Sequence, residues 1–155
     1  MKSNSLIEST IKDTDTIEIL KPERLRELNL PLFLESVSAG FPSPADDYME
    51  AKLDLNELLI KNPAATFFVR VMGDSMIKAG IYSGDILVVD RSLDPKDGSI
   101  VIAVINGELT VKRLSYQKGE VFLLPENKFY SPIKITDDMS FEVWGVVRSV
   151  IHSVM

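Results

Sequence analysis

Ile100–Leu114 reads IVIAVINGELTVKRL, and its pattern sets the architecture. Six apolar residues, mostly β-branched, run from Ile100 to Ile105. That is the length and branching of a buried strand, well short of the roughly 18 residues a membrane helix needs. Asn106-Gly107 comes next, and this pair suits the positive φ that a type I′ turn requires at both central positions. The chain resumes as Glu108–Leu114, where strand alternation sets Thr110, Lys112 and Leu114 on one face. Val111 and Arg113 fall on the other. The whole stretch is a β-hairpin.

Outward from this hairpin the same composition recurs. Thr66–Met72, Ile86–Val89, Val121–Leu124 and Phe141–Val150 are rich in Val, Ile and aromatics, with turn residues between them. Asp54–Ile60 reads as one short helix, with Asp54 as cap, Glu57 at the capping-box position and Leu55, Leu58 and Leu59 on one face. Pro63 stops it. The fold class is therefore mostly β: a compact antiparallel β core with one short helix. The first twenty residues are polar and lack periodicity, so they read as a mobile extension. Lys21–Ser38 is apolar enough to dock onto something, although Pro22 and Pro31 preclude a long helix. In Ala39-Gly40-Phe41-Pro42-Ser43-Pro44, two prolines and a glycine favour exposed, extended backbone, the form that a protease cleft binds.

Composition removes several chemistries. The 155 residues leave room for one compact domain plus an arm. There is no cysteine, hence no thiolate nucleophile and no cysteine-based zinc site, and no metal or cofactor is expected. The single histidine, His152, sits near the C-terminus and reads as a strand-end residue rather than a catalytic base. Neither a signal peptide nor a membrane span is legible, which points to the cytoplasm. A net charge of −6 and a pI near 4.8 argue against direct sequence-specific DNA binding, which needs a basic face.

Two segments carry chemistry. At Val71-Met72-Gly73-Asp74-Ser75-Met76 a strand gives way to a turn that presents Ser75, with neighbouring backbone N–H groups outside any ladder. Asp74 and Ser75 can equally cap a helical turn. A serine hydroxyl needs a base to become nucleophilic. Lys112 is the candidate, because it shares a strand face with Leu114 and desolvation favours the neutral amine. It can equally run its stem along the sheet and send its ammonium to water. Asp85, Asp90 and Glu126 occupy turn and strand-end positions that explain them without catalysis.

Taken together, these segments resemble the UmuD-type members of the LexA-like family of self-cleaving serine–lysine proteases. Ala39-Gly40 is similar to the family's cleavage dipeptide and Gly73-Asp74-Ser75-Met76 to its nucleophile motif. Glu108–Leu114 resembles the strand bearing the catalytic lysine. Ser83-Gly84-Asp85, Ser131-Pro132-Ile133 and Val143–Val147 extend the likeness over most of the chain, although residues 1–20 lie beyond the family's usual start. The resemblance implies an N-terminal arm, 1–39, removed by self-cleavage at Ala39–Gly40, and a serine–lysine peptidase core over 40–155. It implies Ser75 as nucleophile and Lys112 as base. It further implies a homodimer, stimulation by a RecA filament on single-stranded DNA, and action with the UmuC polymerase subunit in translesion synthesis during the SOS response. The alternative from another class is a β-fold adaptor of a DNA polymerase that never cleaves. A LexA-type repressor is disfavoured by so short and acidic a leader, and a signal peptidase by the missing membrane helix.

Overall fold

The computed structural model describes residues 18–20, 29–33 and 50–155. In chain order the strands are β1 Glu18–Leu20, β2 Asn29–Phe33, β3 Glu50–Asp54, β4 Thr66–Arg70, β5 Ile86–Asp90, β6 Ile100–Ile105, β7 Glu108–Gln117, β8 Glu120–Leu124, β9 Ile133–Lys134 and β10 Phe141–Ile151. One helix, α1, spans Leu55–Leu59. The chain divides into two compact units, Glu23–Lys61 and the remainder.

In the larger unit eight strands form one antiparallel sheet in the order β1-β4-β5-β10-β6-β7-β8-β9. The expected hairpin closes as read: Ile105 pairs with Glu108 across Asn106 (φ 50°) and Gly107 (φ 84°). The β6 run is unbroken because both its faces are covered. Ile102 enters one apolar cluster with Val69, Met76, Ile81, Leu87, Val89 and Val111, while Val101 and Ala103 enter another with Leu114 and Leu123. Each fully buried Val, Leu or Ile contributes about 1.5–3 kcal/mol to burying this core.

A second two-residue hairpin escapes the sequence pattern. β7 continues three residues past Leu114 and turns at Lys118 (φ 51°) and Gly119 (φ 79°), so that Gln117 pairs with Glu120. This end is polar and largely exposed, so no apolar alternation marks it as strand. β10 is the longest strand and is irregular twice, between Val143 and Gly145 and between Val147 and Ser149. Gly145 allows the close crossing over β5, because a Cβ there would lie 2.7 Å from Val89 Cγ1 and 3.2 Å from the Asp90 carbonyl oxygen.

Two expectations about the N-terminal region are corrected. Glu18–Leu20 falls in the stretch expected to be a mobile extension, yet it forms β1 and pairs with β4, Ile19 opposite Val69. A triplet is too short to display periodicity, and only the open β4 edge reveals its use. In the smaller unit Asn29–Phe33 and Glu50–Asp54 pair as β2 and β3, neither of them legible as strand. Pro31 fits there because each strand of a two-stranded sheet has an edge that needs no donor. Asp54 caps α1 by accepting the Asn56 N–H at 2.8 Å, but the expected apolar face is not buried, since Leu55 and Leu58 are exposed. The Ala39–Gly40 segment lies outside the described residues.

Candidate active site

The loop between β4 and β5 carries Ser75. Its base is tied by backbone bonds, Val71 N–H to the Asp85 carbonyl at 2.9 Å and Gly84 N–H to the Val71 carbonyl at 2.7 Å. At the apex Gly73 takes φ 105°, which a side chain would resist, and the chain passes into a 3-10 turn at Ile77–Ala79. That turn has Met76 at its N-cap position and no side-chain cap hydrogen bond. Met76 and Ile81 plug the loop into the core beneath.

The structure brings Ser75 and Lys112 together. Lys112 Nζ lies 3.1 Å from Ser75 Oγ, with the two residues 6% and 2% exposed. The sequence left open whether the amine reached water; it does not. Lys112 Nζ also donates to Thr110 Oγ1 at 2.9 Å and to the Val111 carbonyl at 3.0 Å. These three oxygens are neutral. Thr110 was legible in principle, because alternation places it on the Lys112 face one pleat away. Among the described residues the Met76 N–H, adjoining the nucleophile position, enters no hydrogen bond.

Other participants come from a distant loop that no motif ties to Ser75. The Glu126 N–H donates to the Ser75 carbonyl at 2.8 Å, and Lys78 N–H donates back to the Glu126 carbonyl at 2.9 Å. Asn127 Nδ2 donates to the Asp74 carbonyl at 2.9 Å, and the Tyr130 hydroxyl donates to Asp74 Oδ1 at 2.6 Å. Arg113 fastens this loop to β7 through an ion pair with Glu126, and donates to the Gly98 carbonyl at 2.7 Å.

The remaining acids behave as turn and strand-end residues with extra partners. Asp85 is buried, accepts the Tyr82 N–H at 2.8 Å and meets His152 Nδ1 at 2.6 Å. His152 is thus engaged by Asp85 just beyond β10, consistent with a strand-end role. Burial alone would raise the Asp90 carboxyl. Hydrogen bonds from the Ser92 hydroxyl and N–H, with the Arg148 guanidinium, outweigh it and hold the group below its ordinary value. No group of three or more potential metal ligands occurs among the described residues.

Residues 31–148 match the family model described as Peptidase S24-like. The chain belongs to the S24-like peptidase family. It is similar to Protein SamA of Salmonella typhimurium, 52% identical over 122 residues that cover 79% of this chain and 84% of that protein. Protein MucA of Escherichia coli is 48% identical over 120 residues, 77% of this chain and 82% of that protein. LexA repressor 1 of Xanthomonas oryzae pv. oryzae is 40% identical over 125 residues, 81% of this chain and 61% of that protein. The S24-like assignment makes this a chain of the peptidase class, with the mostly antiparallel β core described above. No described helix is long and apolar enough to cross a membrane.

Proposed function

We propose that the chain is a self-cleaving serine peptidase of the UmuD type, with Ser75 as nucleophile, Lys112 as general base and Ala39–Gly40 as the bond cut. The observation that carries the reading is the buried contact between Lys112 Nζ and Ser75 Oγ at 3.1 Å. Neutral Lys112 takes the hydroxyl proton as Ser75 Oγ bonds to the Ala39 carbonyl carbon. The resulting oxyanion is within the province of nearby backbone donors, of which the Met76 N–H is the candidate. Its collapse breaks the bond to Gly40, whose nitrogen receives the proton from Lys112, and water then hydrolyses the serine ester. Tethering the scissile segment in the same molecule raises its effective concentration, so a slow catalyst suffices.

The biological setting follows the same reading. Trimming removes 1–39, and the dimer of trimmed chains acts with UmuC as an error-prone translesion polymerase in the cytoplasm during the SOS response. A RecA filament on single-stranded DNA stimulates the cut. The acidic chain, with net charge −6, leaves DNA contact to those partners.

The test is incubation of purified chain with RecA, single-stranded DNA and ATP, followed by intact-mass analysis of the fragments. Cleavage after Ala39 in the native chain, lost in Ser75→Ala and in Lys112→Ala, is the expected result. Because only the neutral amine accepts a proton, unassisted cleavage accelerates from neutral to alkaline pH. A native chain that stays whole under every condition is the polymerase adaptor instead.

A further inference from the structure

The nucleophile's turn is held partly from within its own loop, where Ile77 N–H donates to the Asp74 carbonyl at 3.3 Å, and partly from outside it. The 3-10 turn after Ser75 lacks a side-chain cap, and Gly73 before it leaves the backbone permissive. The outside support is the segment Glu126–Tyr130, which reaches both residues flanking the Asp74–Ser75 peptide bond. Glu126 N–H holds the Ser75 carbonyl, while Asn127 and Tyr130 hold the Asp74 carbonyl and carboxylate respectively.

We propose that Asn127 and Tyr130 are positioning residues that set the Ser75 hydroxyl against Lys112; the proposal rests on the catalytic reading given above. Asn127 is 5% exposed, and both ends of its amide are committed. Its Oδ1 accepts the Phe129 N–H at 3.1 Å and its Nδ2 donates to the Asp74 carbonyl, so a flipped amide would set donor against donor and acceptor against acceptor. The Tyr130 hydroxyl meets a carboxylate oxygen at 2.6 Å, the short distance of a charge-assisted bond. The same segment is fastened at Glu126 to Arg113, the residue beside Lys112 on β7. Base and nucleophile are thereby registered to one strand: Lys112 directly, and Ser75 through Arg113, Glu126 and the Asn127–Tyr130 clamp. A clamp of this kind matters because a displacement of about 1 Å in a reacting group can cost about a hundredfold in rate.

Two conservative variants of the full chain test this. Tyr130→Phe keeps the ring and removes the hydroxyl donor. Asn127→Asp keeps the acceptor for Phe129 and loses the donor to Asp74. Self-cleavage is followed by intact mass across neutral to alkaline pH, and Ser75 labelling by a small fluorophosphonate is timed in parallel. Melting temperature is recorded for each protein. The expected result is a fall of about tenfold or more in the alkaline plateau rate for each variant. Labelling slows equally in each variant, and Tyr130→Phe, which adds no charge, moves neither the midpoint of the pH profile nor the melting temperature appreciably. Slower cleavage with native labelling would overturn the proposal, since the residues would then act on the arm. Native rates in both assays would overturn it while leaving Ser75 and Lys112 in their roles. A native chain that neither cleaves nor labels would overturn both readings.

Discussion

Lys112 is asked to do something that arginine cannot. Both side chains are long cations, but a guanidinium stays protonated throughout the accessible pH range and cannot accept the Ser75 proton. Lys112→Arg is therefore expected to abolish self-cleavage even at alkaline pH, and intact-mass analysis at pH 10 checks it. A surviving slow cut would mean that the amine is not the base. Part of this site was legible residue by residue. Gly-Asp-Ser-Met offers a turn serine, and alternation placed Lys112 and Thr110 on one strand face. Nothing in the pattern, however, decided whether Ser75 was a cap or whether the ammonium reached water. Those answers depend on contacts between residues 37 positions apart, which only the folded chain supplies.

At the scale of elements, legibility followed burial. β6 and the first half of β7 are packed on both faces and stand out as apolar runs, and Asn106-Gly107 announces its own turn. The outer half of β7, β9 and the short edge β1 carry little apolar signal, because they lie where the sheet meets water or ends. The clamp segment Glu126–Tyr130 is invisible for a different reason: its role lies in hydrogen bonds to another loop rather than in any period. The close crossing of β10 over β5 is the element-level feature most exposed to test. A methyl at position 145 meets the fully buried Val89 side chain and the Asp90 backbone. Gly145→Ala should cost about 1–3 kcal/mol by overpacking, measured by chemical denaturation. Gly107→Ala removes no contact but forces alanine to φ 84°. Its expected cost is about 1 kcal/mol or slightly more.

At the scale of the whole molecule, Asp90 contributes to acid stability. Its carboxyl is held below the ordinary value of 3.8 in the folded chain, so folding favours the ionised form. The stabilisation is fully present above that ordinary value and is lost as pH falls through the lower, folded-state value. Denaturant midpoints should drop in acid, and Asp90→Asn should flatten that part of the profile while lowering stability near neutrality. An unchanged acid limb in the variant would show that Asp90 carries none of the linkage.

The pairing of β1 with β4 acquires a kinetic meaning once the proposed cut is made. In the intact chain Glu18–Leu20 meets its ladder partner as part of one molecule, so occupancy does not depend on how dilute the protein is. Severing the backbone between 39 and 40 turns this three-residue ladder, and the five-residue β2–β3 ladder with it, into an encounter between two molecules. A freshly cut pair should then elute as one particle when concentrated and come apart on dilution, leaving the β4 edge with unsatisfied backbone donors and acceptors. Proteolysis and release would be two separate clocks, the second set by abundance rather than by chemistry.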